Sequence, residues 1–194
     1  MSFRHGERLA RAARRLARLA LLMCPLGGNA GPVLNQTCDV SSYPLSTPTS
    51  RFQDHDDGTV TDTRSNLMWL RCSIGQEWSG STCTGAPGLF SWNEAMTLAQ
   101  AENDRGTHFY SDWRLPKIQE LATIAERQCQ NPRINLALFP QTPAAAYWTT
   151  SSRPVADGAN QAAASAFVLS FGPEGVGFEG KETRHHVRLV RSGP

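Results

Sequence analysis

Four cysteines, Cys38, Cys72, Cys83 and Cys129, constrain this chain more than any other feature. A fifth, Cys24, falls within an N-terminal stretch built like a leader. Arg4, Arg8, Arg11, Arg14, Arg15 and Arg18 make a basic region, Leu19 to Leu26 an apolar one, and Ala30 supplies the small residue that cleavage needs. Residues 1–30 therefore read as a secretory signal peptide, too short to stay behind as a transmembrane anchor. An even number of cysteines in an exported chain reads as a disulfide framework rather than a set of thiols. Cys72 and Cys83 enclose the Gly/Ser/Thr-rich loop "SIGQEWSGST" and are expected to pair with each other. Cys38 then falls to Cys129, which ties the segment before the main domain to the end of a predicted helix. Zinc would want CxxC or paired histidines at helical spacing, and neither is present.

Removing the leader leaves 164 residues, enough for one domain with a sizeable core. It also inverts the charge. The full chain has 19 Lys+Arg against 17 Asp+Glu, but the leader holds six Arg and one Glu, which leaves 13 against 16. The basic balance belongs to the leader, and nothing in the remainder calls for nucleic acid as a partner. Residues 31–50 are rich in Ser, Thr and Pro and read as an extended N-terminal arm; residues 51–194 read as one compact unit.

Within that unit the hydrophobic period changes twice. "DDGTVTDTRSNLMWLRC" predicts a hairpin, with turns at Asp57-Gly58 and near Arg64-Ser65 and a second strand from Leu67 to Cys72. "SWNEAMTLAQAEN" predicts a helix capped by Ser91 and Glu94, with Trp92, Ala95, Met96 and Ala99 on its inner face. "LPKIQELATIAERQC" predicts a second helix with Pro116 at its first position and Ile118, Leu121, Ala122 and Ala125 as its buried stripe. "AYWTTSS", "AFVLSFG", "GVGFEG" and "HHVRLVRS" then return to short strands. Helices grouped between strands give an α+β class with a largely antiparallel sheet.

Three clusters carry chemistry. Asp54, Asp56, Asp57 and Asp62 supply oxygen ligands around Gly58 of the kind Ca²⁺ takes, though the block lacks the terminal Glu of an EF-hand loop, and Asp-Gly also starts hairpins. Binding would otherwise need no cofactor. Trp78, on the loop between Cys72 and Cys83, is the aromatic best placed for ligand contact; the other four tryptophans lie in or beside predicted elements and read as core. Lys181, Arg184 and Arg188 form the one basic concentration, with His186, Arg188 and Val190 expected to face away from Val187 and Leu189. No nucleophile elbow, phosphate loop, dinucleotide fingerprint or metalloprotease motif occurs.

"RFQDHDDGTVTDTRSNLMWLRC", "FSWNEAMTLAQ", "SDWRLPKIQEL", "INLALFP", "YWTTS" and "VRLVR" together, in this order from Arg51 to Arg191, resemble the bacterial exported domain family that includes the C-terminal domain of the Legionella collagen-like adhesin. The resemblance implies a C-type lectin-like fold, two helices packed on irregular antiparallel sheets with disulfide staples. The chain lacks that adhesin's collagen-like repeats, so its route to trimers does not carry over. It implies that Asp112, Trp113 and Arg114 form a structural corner before the second helix. It also implies that Lys181, Arg184 and Arg188 meet the sulfate groups of a glycan, since guanidinium suits that geometry. The expectation that follows is a secreted or envelope-associated, non-enzymatic adhesion module for an extracellular glycan or protein, periplasmic, extracellular or outer-surface. An exported enzyme of the sulfatase-modifying type, which would need a free thiol, and a structural surface component are the alternatives.

Overall fold

The computed structural model describes residues 35–152 and 164–193, so the leader, residues 1–30, lies outside the described residues. The elements run β1 (Thr37–Cys38), β2 (Phe52–Asp54), β3 (Thr59–Asp62), β4 (Leu67–Leu70), β5 (Glu77–Trp78), β6 (Cys83–Thr84), α1 (Trp92–Arg105), α2 (Ile118–Thr123), β7 (Cys129–Gln130), β8 (Ala146–Ser152), β9 (Ser165–Ser170), β10 (Val176–Gly180) and β11 (Val190–Ser192). The class is α+β, and every sheet is antiparallel.

The central sheet has the order β11-β4-β3-β2, which places the first and last strands of the domain at opposite edges of one sheet. Its second strand, "LMWL", is buried on both faces, and alternation along it builds two cores. Trp69 points with Val60 into a cluster that also holds Leu121, Ile124 and Phe139. Met68 and Leu70 point the other way, to Ala95, Trp113, Trp148 and Leu189. Thus α2 covers one side of the sheet and α1 the other. A second sheet, β10-β9-β8, completes the packing, and β1-β7 and β5-β6 are two-residue ladders.

Local chemistry sets the helices. Around Ser91 both halves of a capping box form: Glu94 N donates to Ser91 Oγ at 3.3 Å and Ser91 N to Glu94 Oε2 at 2.7 Å. Gly106 ends α1 in the left-handed conformation. The small Ala95 and Ala99 face the sheet as expected, but Met96, one step round the helix, is 41% exposed. The second helix is shorter than its stripe predicts. It starts at Ile118, leaving Pro116 two residues outside, where its carbonyl accepts the Thr150 amide at 2.8 Å. It stops at Thr123 because Ala125 turns away to bridge Ile134, so Ala122 is exposed while Ile124 is fully buried.

Cys72 bonds Cys83 and Cys38 bonds Cys129. The second bridge is one of several ties on residues 35–50, which lie along the domain rather than away from it. Gln36 Nε2 donates to the Pro132 and Ile134 carbonyls, each at 2.7 Å, and Asn135 Nδ2 donates to Thr47 O at 2.8 Å. The strongest tie is Glu126, fully buried, whose carboxylate accepts from Ser46 N and Oγ, Thr47 N and Oγ1, and Gln128 N at 2.7–3.0 Å. Burial alone would raise its pKa, but these five donors outweigh that and bring it down to about 2.

Candidate functional site

The corner at Asp112-Trp113-Arg114 is committed to the fold. Trp113 is 2% exposed; its indole donates to Thr107 O at 2.9 Å, and its backbone is held on both sides by Asn103, at 2.6 and 2.9 Å. Arg114 does not meet Asp112. It grips Glu120 with two bonds, at 2.7 and 2.8 Å, while its backbone pairs with Val190. Asp112 accepts from Arg191 Nε at 2.6 Å, and the Arg191 guanidinium lies 3.8 Å from the centre of the Tyr110 ring. The three residues thus lock the last strand against the start of α2.

The four aspartates do not converge on a calcium site. Asp62 is fully buried and accepts from Arg51 Nε at 2.7 Å and Nη2 at 2.5 Å, from Ser65 Oγ and from Arg64 N. Asp54 pairs with Arg71 at 2.6 Å. Asp57 accepts from both the amide and the hydroxyl of Thr59, at 2.8 and 2.7 Å, which is turn chemistry. Asp56 is exposed, with a left-handed backbone and its amide on Asp54. Among the described residues no three His, Cys, Asp or Glu side chains are grouped to hold a metal.

The basic patch drawn from Lys181, Arg184 and Arg188 does not form either. Arg188 is fully buried, because residues 186–190 run between the two cores with both faces covered. Its guanidinium donates to the carbonyls of Leu70 and Arg71 and to the hydroxyls of Ser73 and Thr142. No carboxylate among the described residues faces it; the Phe139 and Tyr147 rings, 4.9 and 5.8 Å away, lie against it. Lys181 Nζ sits 4.2 Å from the centre of the Trp92 ring, and Arg184 reaches Glu94 at 3.5 Å and Leu89 O at 2.8 Å. Two cations of the three remain near the surface, each already engaged.

A different set of arginines comes together instead. A groove of about 720 Å³ runs between residues 44–47 of the arm and the outer side of α2. Arg51, Arg64 and Arg127 line it, with Ser65, Gln119 and Thr123, and no carboxylate is among its lining residues. Arg51 is neutralised by buried Asp62, but Arg64 and Arg127 are exposed and their guanidinium groups have no acceptor among the described residues. Its arm-side wall is Ser46 and Thr47, held by Glu126. Sequence reasoning missed this set because the three arginines are scattered along the chain and the arm reads as loose; the one available sign was the carboxylate of Glu126 placed beside Arg127.

Trp78 lines a separate cleft of about 330 Å³ between the stapled loop and the turn after α1. It is half-buried rather than free: the Arg71 guanidinium stands 4.3 Å from its ring centre, and a Cβ on Gly58 would fall 2.8 Å from its Cγ. Gly58, at φ 97°, is therefore required both by its turn and by the indole against it.

The profile of the Lcl C-terminal domain matches residues 58–191. The chain belongs to the Lcl C-terminal domain family. Membership places it with exported, adhesin-associated domains, and the two disulfides fit an exported Lcl C-terminal domain. No helix among the described residues is long and apolar enough to cross a membrane. A search of curated proteins finds no match to the chain.

Proposed function

We propose that this domain is a non-enzymatic binding module for an anionic extracellular glycan, held in the groove of Arg51, Arg64 and Arg127. The observation that carries the reading is the pair of guanidinium groups, Arg64 and Arg127, facing an acid-free groove without internal acceptors. Planar guanidinium forks suit sulfate and carboxylate groups. The scaffold is read as C-type lectin-like, on the strength of the first and last strands sharing one sheet and the two helices flanking it. Binding at this groove uses no metal.

The pairing of Cys38 with Cys129 and Cys72 with Cys83 favours this reading over a sulfatase-modifying enzyme, since it leaves no free thiol nucleophile among the described residues. A purely structural role would give defined oligomers and no glycan affinity. The test is calorimetric titration of the protein with a sulfated oligosaccharide and with its desulfated counterpart at low and high salt. The sulfated form should bind, and lose affinity as salt screens the arginines. Equal affinity for both forms, or none for either, overturns the reading.

A further inference from the structure

The Trp78 cleft is chemically unlike the arginine groove. Its loop side carries Trp78, Ile74 and Glu77; its far side is Glu102, Arg105 and His108. Glu102 binds Arg105 at 2.6 Å and the Thr107 hydroxyl at 2.5 Å, so acid and base are held in register across a short distance. Glu77 is exposed and its carboxylate has no partner among the described residues. Glu77 and Glu102 outnumber Arg105 along the lining, and Arg71 against Trp78 is already paired with Asp54, so the cleft disfavours an anionic ligand while leaving many hydrogen-bonding positions.

The rim is built at a cost. His108 and Phe109 are consecutive non-glycine residues in the left-handed region, at φ 53° and 66°, a conformation unfavourable for residues with a Cβ. Phe109 is fully exposed at 101%. The strain is imposed from behind, where the buried Trp113 donates its indole hydrogen to Thr107 O at 2.9 Å and sets its ring edge-on to His108. The corner that looked purely structural thus fixes a turn that puts His108 on the cleft and an aromatic ring in water beside it.

We infer that this cleft binds a neutral hydroxylated sugar. Ile74 and the part of the Trp78 indole that Arg71 and Gly58 leave uncovered offer apolar surface for pyranose C–H groups, and Glu77, Glu102 and Arg105 offer acceptors and donors for its hydroxyls. Phe109 contacts the neighbouring residue of a chain. The inference does not rest on the arginine groove, and high salt separates the two.

The experiment titrates cellotriose, chitotriose and mannotriose into the full chain at about 0.5 M NaCl, where exposed ionic contacts are screened. Calorimetry and tryptophan fluorescence are both read. At least one trisaccharide should bind with Kd near or below about 1 mM and shift the emission. Trp78→Ala, and independently the surface change Glu77→Gln, which touches no core, should each weaken it by about tenfold. The Arg64→Ala/Arg127→Ala double variant should leave it unchanged. Absence of binding up to about 10 mM overturns the inference, as does binding that survives both Trp78→Ala and Glu77→Gln, or binding confined to sulfated or amine-bearing probes.

Discussion

Replacing Glu126 with Gln tests the account where its magnitude is largest. The carboxylate is fully buried under five donors, and its pKa lies at about 2 against an ordinary 4.5. A proton therefore binds the unfolded chain more readily than the folded one between these values. The resulting stability is fully present above pH 4.5 and is lost as pH falls toward 2. At about 1.4 kcal/mol per pKa unit the difference is about 3 kcal/mol. Glu126→Gln keeps the shape, but its amide group turns two hydrogens toward Ser46, Thr47 or Gln128, all of which already donate. Urea unfolding, disulfides intact, should show the variant less stable by about 3 kcal/mol at pH 7. The gap between the proteins should close as pH approaches 2, because only the native protein loses this term. A gap under about 1 kcal/mol at pH 7, or one of constant size down to pH 2, would refute the claim that this carboxylate anchors the arm.

Arg188→Met should destabilise the protein by several kcal/mol in thermal unfolding, since it strands the Leu70 and Arg71 carbonyls in the core at about 1–3 kcal/mol each; a stable variant with lost glycan affinity would return Arg188 to a ligand role. Burial holds the pKa of His186 below the ordinary 6.5, helped by His185 and Arg188 and opposed by its bond to Gly88 O; burial likewise lowers His185, against Glu179. Stability should thus be full above pH 6.5 and decline below it, and His186→Gln should flatten that slope in denaturant midpoints measured from pH 7 to 5. Opening the Cys38–Cys129 bridge, which spans 91 residues, should cost about 4.5 kcal/mol by loop entropy, and opening Cys72–Cys83, which spans 11, about 3 kcal/mol; paired Cys→Ser variants compared by urea unfolding check the order.

What was legible in the sequence is what local chemistry determines. The capping box at Ser91, the β3–β4 hairpin, β8 from Ala146 to Ser152 and both bridges follow from residues close in sequence or from the scarcity of cysteine. The site was not legible, for two reasons. Arg188 reads as a strand cation on a solvent face, yet residues 186–190 lie between two cores and their alternation carries no exposed side. The arm reads as loose because its Ser and Thr are ordinary linker residues; only a carboxylate 80 positions away makes them a wall. Asp62 misled for a related reason, since a buried acid and a metal ligand look alike until Arg51 is seen against it.

The central claim is a location, so the most direct measurement maps one. Amide chemical shifts of ¹⁵N-labelled protein, followed while a sulfated oligosaccharide is added, should move together at Ser46, Arg64, Ser65, Gln119, Thr123 and Arg127, with Lys181 to Arg184 unmoved. Shifts centred on Lys181 and Arg184, with the groove silent, would contradict the account.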